Sequence, residues 1–137
     1  MERPNLDKYY LDIALAVAAR SPCLKKHYGA VIVNNGEIIS TGYNGPARGE
    51  PHCTVCTKIG HNKDMEEYAT CPAVHAEQNA IISASRRDMI GGILYLAGVD
   101  ANGNRVNAKP CEICMRLIKN SGLKMVISDQ GIIYEAK

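Results

Sequence analysis

The chain has no phenylalanine and no tryptophan, and seven tyrosines are its whole aromatic inventory. A core without those large rings must be filled mostly by aliphatic side chains. Any flat ligand must then be held by tyrosine, histidine or an aliphatic surface. An excess of charge of either sign is also missing. The formal net charge is only +2, which argues against a nucleic-acid polymer as partner. Nor is there a long hydrophobic run. The longest apolar stretch, Ile13 to Ala19, is too short to span a bilayer, and Met1-Glu2-Arg3-Pro4-Asn5 lacks the pattern of a secretory leader. These absences predict a cytoplasmic protein with no membrane association.

What is present predicts one domain over residues 1–137, globular and large enough to bury a core, with 46% hydrophobic residues. Six cysteines and four histidines stand out at this length. Without a secretory segment, clustered cysteine and histidine read as metal ligands held reduced and not as a disulfide framework.

Two short segments carry the chemistry. His75-Ala76-Glu77 is followed some thirty residues later by Pro110-Cys111-Glu112-Ile113-Cys114. One imidazole and two thiolates occupy three of the four tetrahedral positions that zinc prefers, leaving the fourth for water. Two thiolates offset the dication, so the water is only modestly activated, and Glu77 is suited to take its proton and return it to a leaving group. Cys111 and Cys114 are i and i+3, neighbours on one helical face, with Pro110 suited to the first helical position. His75 opens a second helical pattern, expected from about 74 to 88. Both ligand sets are therefore expected at helix N-termini, where free N–H groups and the helix dipole favour thiolates.

Around these segments, residues Asn5 to Ser21 read as an Ala-rich amphipathic helix. Gly29 to Val33 and Glu37 to Thr41 read as strands joined at Asn35-Gly36, a strong hairpin signal. Further strands are expected at Ile93–Leu96, Lys124–Ile127 and Ile132–Tyr134, with Gly122 capping the helix of the Cys-x-x-Cys segment. Residues 45–72 form a long irregular stretch, of the kind that is functional or pinned by something. Strands alternating with helices after the hairpin predict an α/β fold, a three-layer helix–sheet–helix sandwich with a mixed sheet of about five strands.

On these motifs the chain resembles the cytidine/deoxycytidylate deaminase superfamily, most closely its deoxycytidylate branch. The resemblance rests on Cys23, Gly29-Ala30-Val31-Ile32-Val33, Thr41-Gly42-Tyr43-Asn44-Gly45, His52-Cys53, His75-Ala76-Glu77-Gln78-Asn79-Ala80-Ile81 and Pro110 to Cys114. It implies a homo-oligomeric zinc hydrolase acting on a pyrimidine nucleotide, dCMP to dUMP. In that chemistry metal-bound hydroxide attacks C4 and Glu77 shuttles protons. It assigns the zinc to His75, Cys111 and Cys114, a sugar contact to Asn44, and a donor to the pyrimidine carbonyl to the backbone N–H of Ala76. Deamination of a nucleoside, free base or other amino-heterocycle remains an alternative, as does a zinc-stabilised binding module without catalysis. For a substrate phosphate, Arg48 just beyond the Asn44-Gly45 turn is the first candidate, with Lys26 and Arg105 behind it. For base stacking, Tyr134 is a candidate. The segment Gly98 to Lys109 is an insertion relative to the family pattern.

Four cysteines are left over. Cys53 and Cys56 form a second Cys-x-x-Cys pair in the long segment, with Cys71 before the catalytic helix and Cys23 before the first strand. Together they predict a structural zinc that ties the segment to the domain body, with His52 or His61 able to replace one cysteine. The same arrangement appears in the deoxycytidylate branch.

Overall fold

The computed structural model describes residues 2–56 and 71–137. Helix α1 (Leu6–Ala18) starts where the Asn5 side chain accepts the Lys8 N–H at 2.8 Å. It ends before the Ser21-Pro22 step, a little earlier than its sequence pattern predicts. Strands β1 (Lys26–Asn34) and β2 (Glu37–Tyr43) form the expected hairpin. At its tip Asn35 and Gly36 both take positive φ, 52° and 76°, as the tight turn requires. A small ladder pairs β3 (Gly45–Pro46) with β4 (Ala73–Val74). Helix α2 (Ala76–Ile82) follows, then α3 (Arg86–Met89). The single helix expected over 74–88 is thus two, because the Ser85 hydroxyl caps a new start by accepting the Asp88 N–H at 3.2 Å.

Strand β5 (Ile93–Asp100) runs beyond the stretch expected for it. The segment that follows then turns back on itself. The Asp100 carboxylate accepts the N–H groups of Asn102 and Asn104, each at 2.9 Å, and β6 (Arg105–Val106) pairs with Val99 and Gly98. After α4 (Glu112–Ser121), closed by Gly122 at φ 86°, come β7 (Met125–Ser128) and β8 (Gly131–Glu135). The main sheet has the order β2-β1-β5-β7-β8, with β6 on the side of β5. Only β5 and β7 pair in parallel, so the sheet is mixed.

Alternation along the central strands sorts side chains into two cores. Val31, Val33, Tyr95, Ala97 and Ile127 face α1, which covers them with Tyr10, Leu11 and Ala14. Ala30, Ile32, Leu94, Leu96 and Val126 face the opposite side, where Ala76, Ala80 and Ile118 of α2 and α4 meet them. The result is the predicted three-layer sandwich. With aliphatic fill in place of large rings, helix and sheet backbones come very close. A side chain at Gly29 would lie 1.9 Å from the Ala14 carbonyl oxygen, so α1 rides on β1 only because that position is glycine.

Candidate metal centre and active site

The two helices on the same side of the sheet begin at one point in space. His75 is the N-cap of α2, in an extended conformation, and its N–H is taken by the Gln78 side chain at 2.8 Å. Cys111 is the N-cap of α4, and its sulfur accepts the Cys114 N–H at 3.5 Å. Pro110 therefore precedes the cap and does not occupy the first helical position, because Cys111 takes the capping role itself. His75 Nδ1 lies 3.5 Å from Cys111 Sγ and 3.3 Å from Cys114 Sγ. Tetrahedral zinc with ordinary Zn–N and Zn–S bonds sets these atoms about 3.6 Å apart. The three ligand atoms all lie within 4.8 Å of one another. The donor set and its spacing fit a zinc ion.

Electrostatics set what a metal would have to overcome. Burial, then the nearby Glu77 carboxylate and then Cys111, push the Cys114 thiol far above its ordinary range. A dication between the ligands opposes this shift and stabilises the thiolate. Glu77 is buried, with only 5% of its surface exposed. Burial raises its carboxyl above the usual carboxylate range, while hydrogen bonds from its own backbone and from Cys114 act the other way. Its place beside the three ligands suits it to exchange protons with a group bound there.

Strand β2 fixes where α2 sits. A side chain at Gly42 would lie 2.4 Å from the Ala80 nitrogen and 2.5 Å from the Ala76 carbonyl oxygen, so the helix backbone rests directly on the strand. The Ser40 hydroxyl donates to the Ala80 carbonyl at 2.7 Å, and the Asn79 amide donates to the Tyr43 carbonyl at 2.8 Å. One residue on, Asn44 is buried, and its side chain extends the hairpin ladder. Its Oδ1 accepts the Tyr28 N–H at 2.8 Å and its Nδ2 donates to the Lys26 carbonyl at 3.0 Å. Asn44 is therefore held rigidly beside the metal ligands, with further hydrogen-bonding capacity on the same amide.

These elements enclose a cavity of about 180 Å³. Its floor is His75, Ala76, Glu77 and Cys111, and Asn44, Tyr28 and Leu96 stand along the sheet side. Lys25, Lys26 and Lys109 also line it, and among the described residues none of the three has a carboxylate partner. Arg48 is exposed and lies outside the lining, and Arg105 pairs with Asp129. Tyr134 is half-buried on β8, against the core and away from the cavity. Tyr28 and the lysines were not singled out as a cavity wall from sequence, apart from Lys26. The strand alternation that puts Ala30 and Ile32 on the helix-covered face also puts Tyr28 there, and that signal could have found it.

Cys23, Cys53, Cys56 and Cys71 line the same cavity, and all six cysteines are free thiols. Burial raises the Cys23 thiol, and the charges of Cys71, Cys53 and Cys56 add to the rise while a hydrogen bond from Ser21 opposes it. Among the described residues, however, only His75, Cys111 and Cys114 bring three ligand atoms within bonding range of one ion. His52 is exposed, and His61 lies outside the described residues.

Comparison with known proteins adds identity to this geometry. The profile described as the cytidine and deoxycytidylate deaminase zinc-binding region matches residues 4–129. The deoxycytidylate deaminase of Mycobacterium phage D29 is 38% identical over 133 residues, covering 93% of this chain and 96% of that protein. That of Saccharomyces cerevisiae is 34% identical over 94% of this chain, which spans only 39% of the yeast protein's length. Among solved structures, the dCMP deaminase of cyanophage S-TIM5 in complex with dCMP and dUMP superposes with a TM-score of 0.68 at 25% identity, covering 93% of this chain and 83% of that one. A cytidine deaminase from Mycobacterium leprae, at 22% identity and a TM-score of 0.55, shares the fold.

Proposed function

The chain belongs to the cytidine and deoxycytidylate deaminase family, and from that premise we propose that it hydrolyses dCMP to dUMP and ammonia. The observation that carries the reading is the convergence of His75, Cys111 and Cys114 at two helix N-termini beside the buried, unliganded Glu77. A purely structural zinc has no use for such a carboxylate, which speaks against a binding module without catalysis. A zinc ion held by His75, Cys111 and Cys114 would supply Lewis acidity that makes water more readily deprotonated.

The chain's own residues supply the rest. The Glu77 carboxylate takes a proton from water as its oxygen adds to C4 of the pyrimidine. It delivers that proton to N3, then takes the proton of the hydroxyl formed at C4 and passes it to the amine as the C–N bond breaks, leaving a C4 carbonyl and ammonia with Glu77 again a carboxylate. The Ala76 N–H, at the first turn of α2, donates to the pyrimidine carbonyl, and the spare capacity of the Asn44 amide holds the sugar. Lys25, Lys26 and Lys109 give the cavity a positive rim for the phosphate, with Arg48 a further candidate from outside it.

Two finer parts of the reading concern assembly. Cys23, Cys53, Cys56 and Cys71 bind a second zinc that ties the long segment to the domain body, with His52 or His61 as substitute ligands. Their common placement on the cavity wall supports this. The protein works as a homo-oligomer, which the exposed Ile82 of α2 and Ile113 and Leu117 of α4 support, and light scattering at working concentration checks it. The substrate is tested by comparing dCMP, deoxycytidine and cytosine with zinc-replete protein. We expect dCMP to have the highest kcat/KM by at least tenfold. Equal use of deoxycytidine would move the reading to a nucleoside deaminase.

A further inference from the structure

We propose that Tyr28 is the surface against which the pyrimidine ring lies, and that Gly98 sets its position; this rests on the deaminase reading. Tyr28 and Gly98 are cross-strand partners on β1 and β5, with their side-chain positions on the face that α2 and α4 cover. A Cβ at Gly98 would lie 2.5 Å from Tyr28 Cδ1 and 2.7 Å from Cε1. The tyrosine ring therefore occupies the space over Gly98 that any side chain there would fill. It also lines the cavity, together with Ala76, Glu77 and Cys111. Its backbone is fixed from both sides, since the Tyr28 N–H is held by Asn44 Oδ1 at 2.8 Å and its carbonyl accepts the Asn44 N–H at 3.4 Å. The ring that meets the base and the amide that meets the sugar are thus registered to each other by direct hydrogen bonds.

In a chain with no phenylalanine or tryptophan, Tyr28 is the one tyrosine among the described residues that line the cavity. A ring immobilised before the ligand arrives costs little entropy to use, and its face matches any pyrimidine whether aminated or not. It therefore contributes to binding substrate and product alike and leaves the chemical step to Glu77.

The test is dUMP binding by calorimetry to the zinc-loaded protein, alongside dCMP turnover. Base–aromatic stacking is worth about 1–3 kcal/mol, or roughly 5- to 150-fold in affinity. Tyr28→Leu keeps an apolar side chain against the core and should weaken dUMP binding at least fivefold and raise KM, with kcat and zinc content nearly unchanged. Tyr28→Phe should restore affinity to within about twofold of the parent, which a structural role for the hydroxyl would not allow. Gly98→Ala should push the ring into the cavity and weaken binding without touching any proposed ligand. Unchanged dUMP affinity in a folded Tyr28→Leu protein overturns the proposal, and so does unchanged affinity in Gly98→Ala if Tyr28→Leu does not fold. Either result leaves the deaminase reading standing if the parent still turns over dCMP. A zinc-loaded parent that neither binds dUMP nor deaminates dCMP overturns both.

Discussion

One cavity has two cysteine-bearing walls, and they differ in how their ligands are held. On one wall, His75 and Cys111 are the N-caps of two helices packed side by side, and their positions follow from backbone geometry. Three ligand atoms lie within 4.8 Å of one another there. On the other, Cys23, Cys53, Cys56 and Cys71 sit on irregular segments and line the cavity, and among the described residues they form no comparable set. Helix starts fix the backbone of the first group, whereas loop backbone carries the second. The difference suits their proposed roles: a catalytic site needs fixed geometry, while a structural ion can exchange binding energy for the ordering of a loop.

The largest effect should come at the pre-organised wall. Glu77→Gln is expected to lower kcat at least about 100-fold, the usual share of general acid–base catalysis, while metal analysis finds the zinc retained. His75→Ala should instead lose the catalytic metal. Next, Gly42→Ala attacks the pre-organisation itself. Forcing a methyl between β2 and α2 should cost about 1–3 kcal/mol of stability in thermal or denaturant unfolding, and the shift of α2 should weaken zinc binding. If it leaves both unchanged, the close strand–helix seat is not what holds His75 in place.

A smaller, graded effect is expected with pH. The Cys114 thiol is pushed up by burial, Glu77 and Cys111, so metal-free protein holds its proton and zinc must displace it. Zinc affinity should therefore fall as pH falls, by about tenfold per unit for each proton displaced, measured by competition with a chelator. The smallest change is a stoichiometry. Replacing Cys53 and Cys56 together by serine should take the zinc content from two per chain to one, with dCMP turnover still dependent on Glu77. One zinc per chain in fully metal-loaded parent protein would remove the second site and leave the contrast between the walls without its metal.

The convergence of His75, Cys111 and Cys114 was legible in the sequence because its signals are local. A histidine and a cysteine each open a helical pattern, and the i, i+3 spacing of Cys111 and Cys114 survives whatever the rest of the fold does. The sandwich was legible too, from strand alternation and the Asn35-Gly36 turn. What stayed hidden depends on contacts between distant segments. Gly42 reads as an ordinary strand glycine until α2 is laid on it, and Gly98 as a loop residue until Tyr28 crosses it. The helix break at Ser83–Ser85 was missed because the apolar pattern continues across it and only the Ser85 cap marks a new start. Tyr134 packs against the core and outside the cavity lining, whereas the period of β1 puts Tyr28 on the face that α2 and α4 cover.

The most direct test of the account is a zinc titration of metal-free protein, with dCMP deamination followed by absorbance at each addition. Negligible turnover without metal is predicted, with activity rising as zinc fills the His75–Cys111–Cys114 site, and dUMP and ammonia formed in equal amounts. Full occupancy of that site with no conversion of dCMP, or undiminished conversion without zinc, would contradict it.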